Sequence, residues 1–88
     1  MIKKKLIINN KLGLHARPAA LIVQITNKHA SEVYISKGDS RINAKSIMGV
    51  LTLAAAQGSE LTIEADGPDE TALLDLLEEL IRNGFGEE

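Results

Sequence analysis

The chain has 88 residues, 44% of them hydrophobic, and a formal net charge of −2 at pH 7. This length fits one domain with a modest core and leaves no room for a second. The absence of Cys excludes disulfides, a thiolate nucleophile and Cys-ligated metals. Only two residues are aromatic and the net charge is acidic, so a nucleic-acid-binding surface is not expected.

The N-terminus carries three consecutive Lys residues, as the start of a signal peptide does. The apolar run behind them, Leu6–Ile8, ends at two Asn residues. It is too short for a signal-peptide core or a membrane span. We therefore expect a cytoplasmic protein that does not insert into a membrane.

The first half of the chain predicts a strand, a helix and a hairpin. Pro18 lies near the start of an apolar run. Because Pro is tolerated only in the first turn of a helix, that helix should begin at about Ala16. Turn-forming residues at 37–40 separate two short stretches of strand composition. The predicted elements are a strand at 3–8, a helix from Ala16 to near Lys28, and strands at 32–36 and 41–43.

The second half predicts a short helix, a strand and a longer helix. Ser46 is a favourable N-cap, and Gly67–Glu70 places Pro and two acids where helix N-termini prefer them. The predicted elements are a helix from Ile47 to about Leu53, a strand at 60–66, and a helix that starts at 67–70 and stops at Gly84. The last helix should bury one apolar stripe, made of Leu73, Leu76, Leu77, Leu80 and Ile81.

The strand at 60–66 alternates apolar and polar residues, which predicts a sheet with one buried and one solvated face. The helices should therefore cover only one side of the sheet. We expect a two-layer α+β domain with a mostly antiparallel sheet, formed by residues 1–88 as a single domain.

The segment 13–19, with the sequence GLHARPA, is the strongest candidate for chemistry. His15 precedes the first predicted helical residue, where backbone N–H groups and the helix dipole favour an anion. Arg17 could bind the oxygens of such an anion with its forked guanidinium group. Neutral imidazole is a nucleophile, so the segment suits reversible acceptance of a phosphoryl group.

Other roles for these residues are weaker. His15 could be a helix-capping residue without a task. The only other His, His29, is expected at the far end of the first helix, so a shared metal ion is not expected. We find no Ser-His-acid or paired-carboxylate arrangement for hydrolysis. No cofactor is predicted.

The second notable segment follows Ser46 and carries no charge as far as Ser59. A short helix buries only one face, so some of Ile47, Met48, Leu51 and Thr52 should remain exposed. An exposed apolar patch that includes Met suggests a docking surface for partner proteins. Ordinary core packing with scattered exposure would also account for the segment.

Both segments resemble signatures of the HPr family, the histidine-containing phosphocarrier proteins of the bacterial phosphoenolpyruvate-dependent phosphotransferase system. Residues 13–19 resemble the active-site signature, and residues 45–49 resemble the regulatory-serine signature. The order of the elements also agrees, so the resemblance covers nearly the whole chain. It implies an open-faced β-sandwich, with three helices on one side of a four-stranded sheet.

The resemblance also implies a function for individual residues. Enzyme I would phosphorylate His15 on Nδ1, Arg17 would steady the phosphohistidine, and the A components of sugar permeases would receive the phosphate. The protein would be a covalent intermediate of phosphotransfer rather than an enzyme in the usual sense. Ser46 would be a target for a serine kinase/phosphorylase. The partner-binding face would comprise Ala20, Ile47, Met48 and Leu51.

Three further interpretations of the sequence stay open. The first is a nitrogen-related branch of the family, to which residues 10–13 and 83–86 are similar, whereas residues 45–49 are similar to the sugar branch. The second is a regulatory interaction module without phosphoryl transfer, and the third is a small ligand- or RNA-binding domain. Gln24 stands where many members of the family have a basic residue, which weakens the expectation of docking to acidic partners.

Overall fold

The computed structural model describes residues 1–87, and Glu88, the last residue of the predicted domain, lies outside the described residues. The strands are β1 (Ile2–Ile7), β2 (Glu32–Lys37), β3 (Ser40–Asn43) and β4 (Glu60–Asp66). The helices are α1 (Ala16–Thr26), α2 (Ile47–Thr52) and α3 (Glu70–Arg82), and a 3₁₀ turn follows at Gly84–Gly86. No helix within residues 1–87 has the length and apolarity that crossing a membrane requires.

The four strands form one antiparallel sheet in the order β1-β4-β2-β3, and only one face of it enters the core. In β4, Leu61, Ile63 and Ala65 are fully buried, whereas Glu60 and Asp66 are exposed. Side chains alternate between faces along a strand, so this pattern marks one covered and one open face. Each helix adds fully buried side chains to the covered face, among them Ile22, Val50 and Leu73. The predicted open-faced α+β fold is confirmed.

The buried stripe of α3 differs from the predicted one by a rotation of the helix. Leu76, which we expected in the stripe, is 44% exposed, and Leu74 is fully buried instead. At about 100° per residue, Leu74 and Leu76 lie on opposite sides of Leu73. Packing against β1 and β4 selects the Leu74 side. The periodicity predicted the helix, but it did not distinguish these two edges of its apolar face.

Helix α1 ends at Thr26, two residues before the predicted end. Beyond it, the Lys28 N–H donates to Ile25 O and the His29 N–H to Thr26 O, so the bonding tightens to the i−3 pattern. The side chain of Asn27 donates to Val23 O at 3.0 Å. A side chain that binds a carbonyl of the last turn is a common way to end a helix. Gly84 has a φ of +61° and follows the last turn of α3, so the predicted stop there is confirmed.

The loop between β1 and α1 presses against the loop that follows α2. The Leu14 N–H donates to Ala55 O at 2.8 Å. Gly13 has a φ of +66°, and a Cβ atom there would clash with the same carbonyl. Only Gly adopts this conformation without cost and leaves room for the contact. Gly13 therefore sets the position of the residues that lead into α1.

A second contact ties the start of α3 to the segment before β2. Both carboxylate oxygens of Asp69 accept backbone N–H groups at 2.9 Å, from Ala30 and from Ser31. The buried Ser31 hydroxyl also donates to Asp69 and accepts its backbone N–H at 3.2 Å. The hydrogen bond from Ser31, followed by that from Ala30, lowers the pKa of Asp69 from 3.8 to about 2. The ionised carboxylate therefore stabilises the folded chain.

Gly13→Ala should destabilise the protein by more than the backbone conformation alone explains. A left-handed Ala costs roughly 1–2 kcal/mol, and the added methyl group must also displace the Ala55 carbonyl. Gly38→Ala is the matched control, because Gly38 has a φ of +56° and nothing within 4 Å of the Cβ position. Urea unfolding measures both variants. An equal loss of stability in the two would contradict the proposed role of the contact.

Asp69→Asn should lower the thermal unfolding midpoint at pH 7 and reduce its dependence on acid. The pKa of Asp69 is lower in the folded chain, so its contribution is complete above about pH 4 and is lost as the pH falls through about 2. The wild type should therefore lose stability over this range more steeply than the variant. Asp75→Asn, at an exposed position of α3, is the control, and parallel pH curves for wild type and Asp69→Asn would contradict the assignment.

Candidate functional site

His15 occupies the N-cap position of α1, as the sequence predicted. Its backbone is extended, with φ −89° and ψ −170°, and its side chain makes no capping hydrogen bond. The first intrahelical bond runs from the Ala19 N–H to His15 O at 3.1 Å. The N–H groups of Ala16 and Arg17 precede that bond, and Pro18 has none. The imidazole is therefore held at a helix N-terminus with two backbone donors free of helical bonding.

The imidazole of His15 borders a shallow depression of about 620 Å³. Its side chain is 36% exposed, and Arg17 is exposed beside it. The depression is lined by Lys11, Leu12, His15, Arg17, Gly86 and Glu87. Three of these residues carry cationic or potentially cationic side chains and one, Glu87, is acidic, so the open depression offers groups that can bind an anion. The structure thus brings together His15 and Arg17, the two residues predicted to act in phosphoryl transfer.

Glu87 belongs to this site, although the sequence analysis did not identify it. Its Oε2 lies 2.7 Å from His15 Nε2, and its Oε1 accepts a hydrogen bond from Asn10 Nδ2 at 2.9 Å. The bond from Asn10 and that from His15 lower the pKa of Glu87, together with the charges of His15 and Arg17, whereas desolvation opposes the shift. Two Gly residues around the apolar Phe85 were the only signal in the sequence that the chain turns back after α3.

Ser46 caps α2 as predicted, because its Oγ accepts the Gly49 N–H at 3.1 Å. Ser46 is exposed, so its hydroxyl is accessible from solvent. Within α2, Ile47 is 43% exposed and Met48 71% exposed, whereas Leu51 is partly buried against the core. Helix α2 packs against α1, which carries the half-buried Ala20. The expected exposure of apolar side chains on α2 is therefore observed at Ile47 and Met48.

His29 lies at the other end of α1, as expected. Its Nδ1 is 2.7 Å from Ile25 O, so the ring closes the end of the helix by donating to that carbonyl. Among residues 1–87, no three His, Asp or Glu side chains converge in a way that would hold a metal ion.

Comparison with known proteins identifies the family to which the chain is similar along its length. A family model described as "PTS HPr component phosphorylation site" matches residues 2–83. The phosphocarrier protein HPr of Treponema pallidum is 48% identical over 88 residues, which cover 100% of both chains. The HPr-like protein Crh of Bacillus subtilis is 46% identical over 77 residues, covering 88% of this chain and 91% of that protein.

A solved structure extends the similarity to the fold. The crystal structure of HPr-C-His from Thermoanaerobacter tengcongensis matches with a TM-score of 0.96 and 44% identity, covering 100% of this chain and 99% of that one. The family match, the identity along the full length and the shared fold agree with the His15 site built from the residues. The chain therefore belongs to the HPr family, the phosphocarrier proteins of the phosphotransferase system.

Proposed function

We propose that this protein accepts a phosphoryl group from phosphorylated Enzyme I on Nδ1 of His15 and passes it to the A components of sugar permeases. The observation that carries the proposal is the partly exposed imidazole at the N-terminus of α1, beside Arg17. Nε2 of the ring faces Glu87, so Nδ1 is the nitrogen left to meet phosphorus. Such a carrier works in the cytoplasm, where we place this protein.

The phosphoryl group would be held by the chain itself. Its oxygens would accept the N–H groups of Ala16 and Arg17, which precede the first intrahelical bond. The positive end of the α1 dipole adds a favourable field for the anion. The guanidinium group of Arg17 would bind the same oxygens, and a charge-assisted bond of this kind is about twice as strong as a neutral one.

Partner proteins would dock on the apolar surface of α2, the helix that packs against α1. Met48 and Ile47 are its most exposed side chains, and the half-buried Ala20 and Leu51 complete it. Met adapts to surfaces of different shape, which suits a carrier that must bind both a donor and an acceptor. The donor would be Enzyme I, and the acceptor a permease A component or its counterpart in the nitrogen-related branch.

Ser46 would regulate the same surface. A phosphate on its exposed hydroxyl would add about −1.5 to −2 charge directly before Ile47 and Met48. Each partner that docks there would have to desolvate this anion, so its binding would weaken. Such control would need a serine kinase/phosphorylase. A regulatory module without transfer is the second candidate, because a solved relative that is 42% identical is described as the Bacillus subtilis catabolite repression HPr.

His15→Ala should fold normally and accept no label from phosphoenolpyruvate through Enzyme I. Arg17→Ala should still accept label, but roughly ten- to a hundredfold more slowly, because a charge-assisted hydrogen bond is worth roughly 1.5–3 kcal/mol. Single-turnover labelling measures both rates. Supplying sugar-branch and nitrogen-branch acceptors in parallel identifies the branch. If His15→Ala is labelled at the wild-type rate, the site assignment is refuted. If the wild-type protein takes no label, the regulatory module is favoured.

Ser46→Asp and Met48→Glu should each weaken binding to Enzyme I and slow phosphorylation of His15, while the thermal midpoint changes little. Met48→Glu places a negative charge within the docking surface, and Ser46→Asp places one at the exposed position directly before it. Ser46→Ala is the control that removes the capping hydroxyl without adding charge, and it should cost about 1 kcal/mol of stability. Equal phosphorylation rates for Ser46→Asp and Ser46→Ala would mean that Ser46 is only a cap.

A further inference from the structure

We propose that Glu87, oriented by Asn10, holds the proton of neutral His15 on Nε2 and thereby keeps the lone pair of Nδ1 free for phosphorus. Both would be positioning residues, because they act through the imidazole and not on the phosphoryl group. The inference rests on the proposed function, since it explains how one ring nitrogen becomes the nucleophile. It is carried by the chain of contacts that leads from Gly13 through Asn10 and Glu87 to His15.

The tail that carries Glu87 is anchored by a compact turn. Gly84, Phe85 and Gly86 all have left-handed backbones, with φ of 61°, 58° and 74°. Phe85 tolerates this conformation, which is unfavourable for a side-chain-bearing residue, while its ring is only 2% exposed in the core. Asn9 Nδ2 also donates to Arg82 O at 3.0 Å at the base of the turn. Glu87 is therefore brought to the site by a packed segment.

The amide of Asn10 can take only one orientation in this arrangement. Asn10 is 5% exposed, and its Nδ2 donates to Gly13 O and to Glu87 Oε1, both at 2.9 Å. A flipped amide would place an oxygen against these two acceptors. The Oδ1 atom is buried and has no hydrogen-bond partner among residues 1–87. A buried carbonyl without a partner is unfavourable. The two hydrogen bonds that Nδ2 donates therefore fix the orientation of the amide.

The second oxygen of the Glu87 carboxylate faces His15 Nε2 at 2.7 Å. A carboxylate can only accept, so in the neutral ring Nε2 carries the proton and Nδ1 carries the lone pair. Each oxygen of the Glu87 carboxylate therefore accepts one hydrogen bond, Oε1 from Asn10 and Oε2 from His15. The ring is oriented by a partner 72 residues away in the chain.

This arrangement serves both directions of transfer. On acceptance, the Nδ1 lone pair forms the bond to phosphorus, and the bond between phosphorus and the donor breaks with its electron pair leaving on the donor. The proton stays on Nε2, and the phosphorylated ring is a cation that faces the Glu87 carboxylate. On delivery, the acceptor's nucleophile attacks phosphorus and the N–P electron pair returns to Nδ1. Neutral imidazole with Nε2–H leaves, which is a better leaving group than imidazolate.

Glu87→Gln tests the inference, because the shape is kept and the hydrogen-bond direction is reversed. The Gln oxygen should face the Asn10 donor, so the Gln NH₂ group faces His15 Nε2. Nε2 must then accept, the proton moves to Nδ1, and the nucleophilic lone pair is lost. We expect ¹⁵N spectra of the neutral ring to change from the Nε2–H to the Nδ1–H tautomer. We expect phosphorylation of His15 to slow about tenfold.

Glu87→Ala separates this effect from simple loss of the tail contact. Ala offers neither donor nor acceptor, so the ring should hold a mixture of tautomers and the rate should lie between wild type and Glu87→Gln. A merely structural role predicts the opposite order, with Ala the more damaging change. Glu79→Gln, which removes the charge of an exposed acid on α3, should leave the tautomer and the rate as in wild type.

The outcomes separate the two proposals. If wild type is phosphorylated while Glu87→Gln keeps the Nε2–H tautomer, or changes tautomer without slowing, the positioning role is refuted alone. The order Ala slower than Gln refutes it as well. If wild type takes no phosphoryl group, the proposed function fails, whereas the tautomer, measured on unphosphorylated protein, still reports whether Glu87 orients the ring.

Discussion

The burial of one face of the sheet under three helices is the constraint that the rest of the molecule depends on. Among 88 residues there is one Phe, one Tyr and no Trp, so this layer is built almost entirely from aliphatic side chains. Because a sheet with one open face has its helices on a single side, the chain must return to that side after every strand or hairpin. The connections at 8–15, 53–59 and 83–87 consequently meet at one end of the molecule.

The loop 8–15 contacts both of the other segments at this end of the molecule. Its backbone exchanges hydrogen bonds with the loop after α2, through the Gly58 N–H to Ile8 O at 2.7 Å and the Leu14 N–H to Ala55 O at 2.8 Å. Its Asn side chains reach the C-terminal tail. His15 is therefore positioned by backbone hydrogen bonds of the loop, and we expect the fold to form without its imidazole. In this loop, backbone groups and Asn side chains stabilise the fold, whereas the imidazole is available for chemistry.

The proposed docking surface lies on a helix that would not be stable in isolation. Helix α2 has six residues, far fewer than an isolated helix needs in water. It is held by the Ser46 cap at its start, by the buried Val50, and by Lys37, whose Nζ donates to Leu53 O at 3.4 Å beyond its end. These contacts keep Met48 and Ile47 exposed in a fixed position. A surface of this kind can be altered by a single charge without loss of the fold.

Local signals predicted most of the elements. Pro18 placed the start of α1, Ser46 the start of α2, and alternation placed β4, because these features act within a few residues of the chain. They did not decide between two arrangements that the local sequence favours about equally. Leu74 and Leu76 flank the same apolar stripe of α3, and only contact with the sheet decided between them. The end of α1 was likewise set by side chains that bind its last carbonyls.

For the candidate site, the sequence by itself determined the proposed nucleophile and its immediate surroundings. His15, Arg17 and the start of α1 lie within three residues, so helix geometry alone brings an imidazole, a guanidinium and free N–H groups together. Glu87 and Asn10 were decided only by the tertiary structure. Glu87 is 72 residues from His15, and no periodicity or spacing links them. Their contact exists because the sheet, α3 and the buried Phe85 return the end of the chain to the loop where it began.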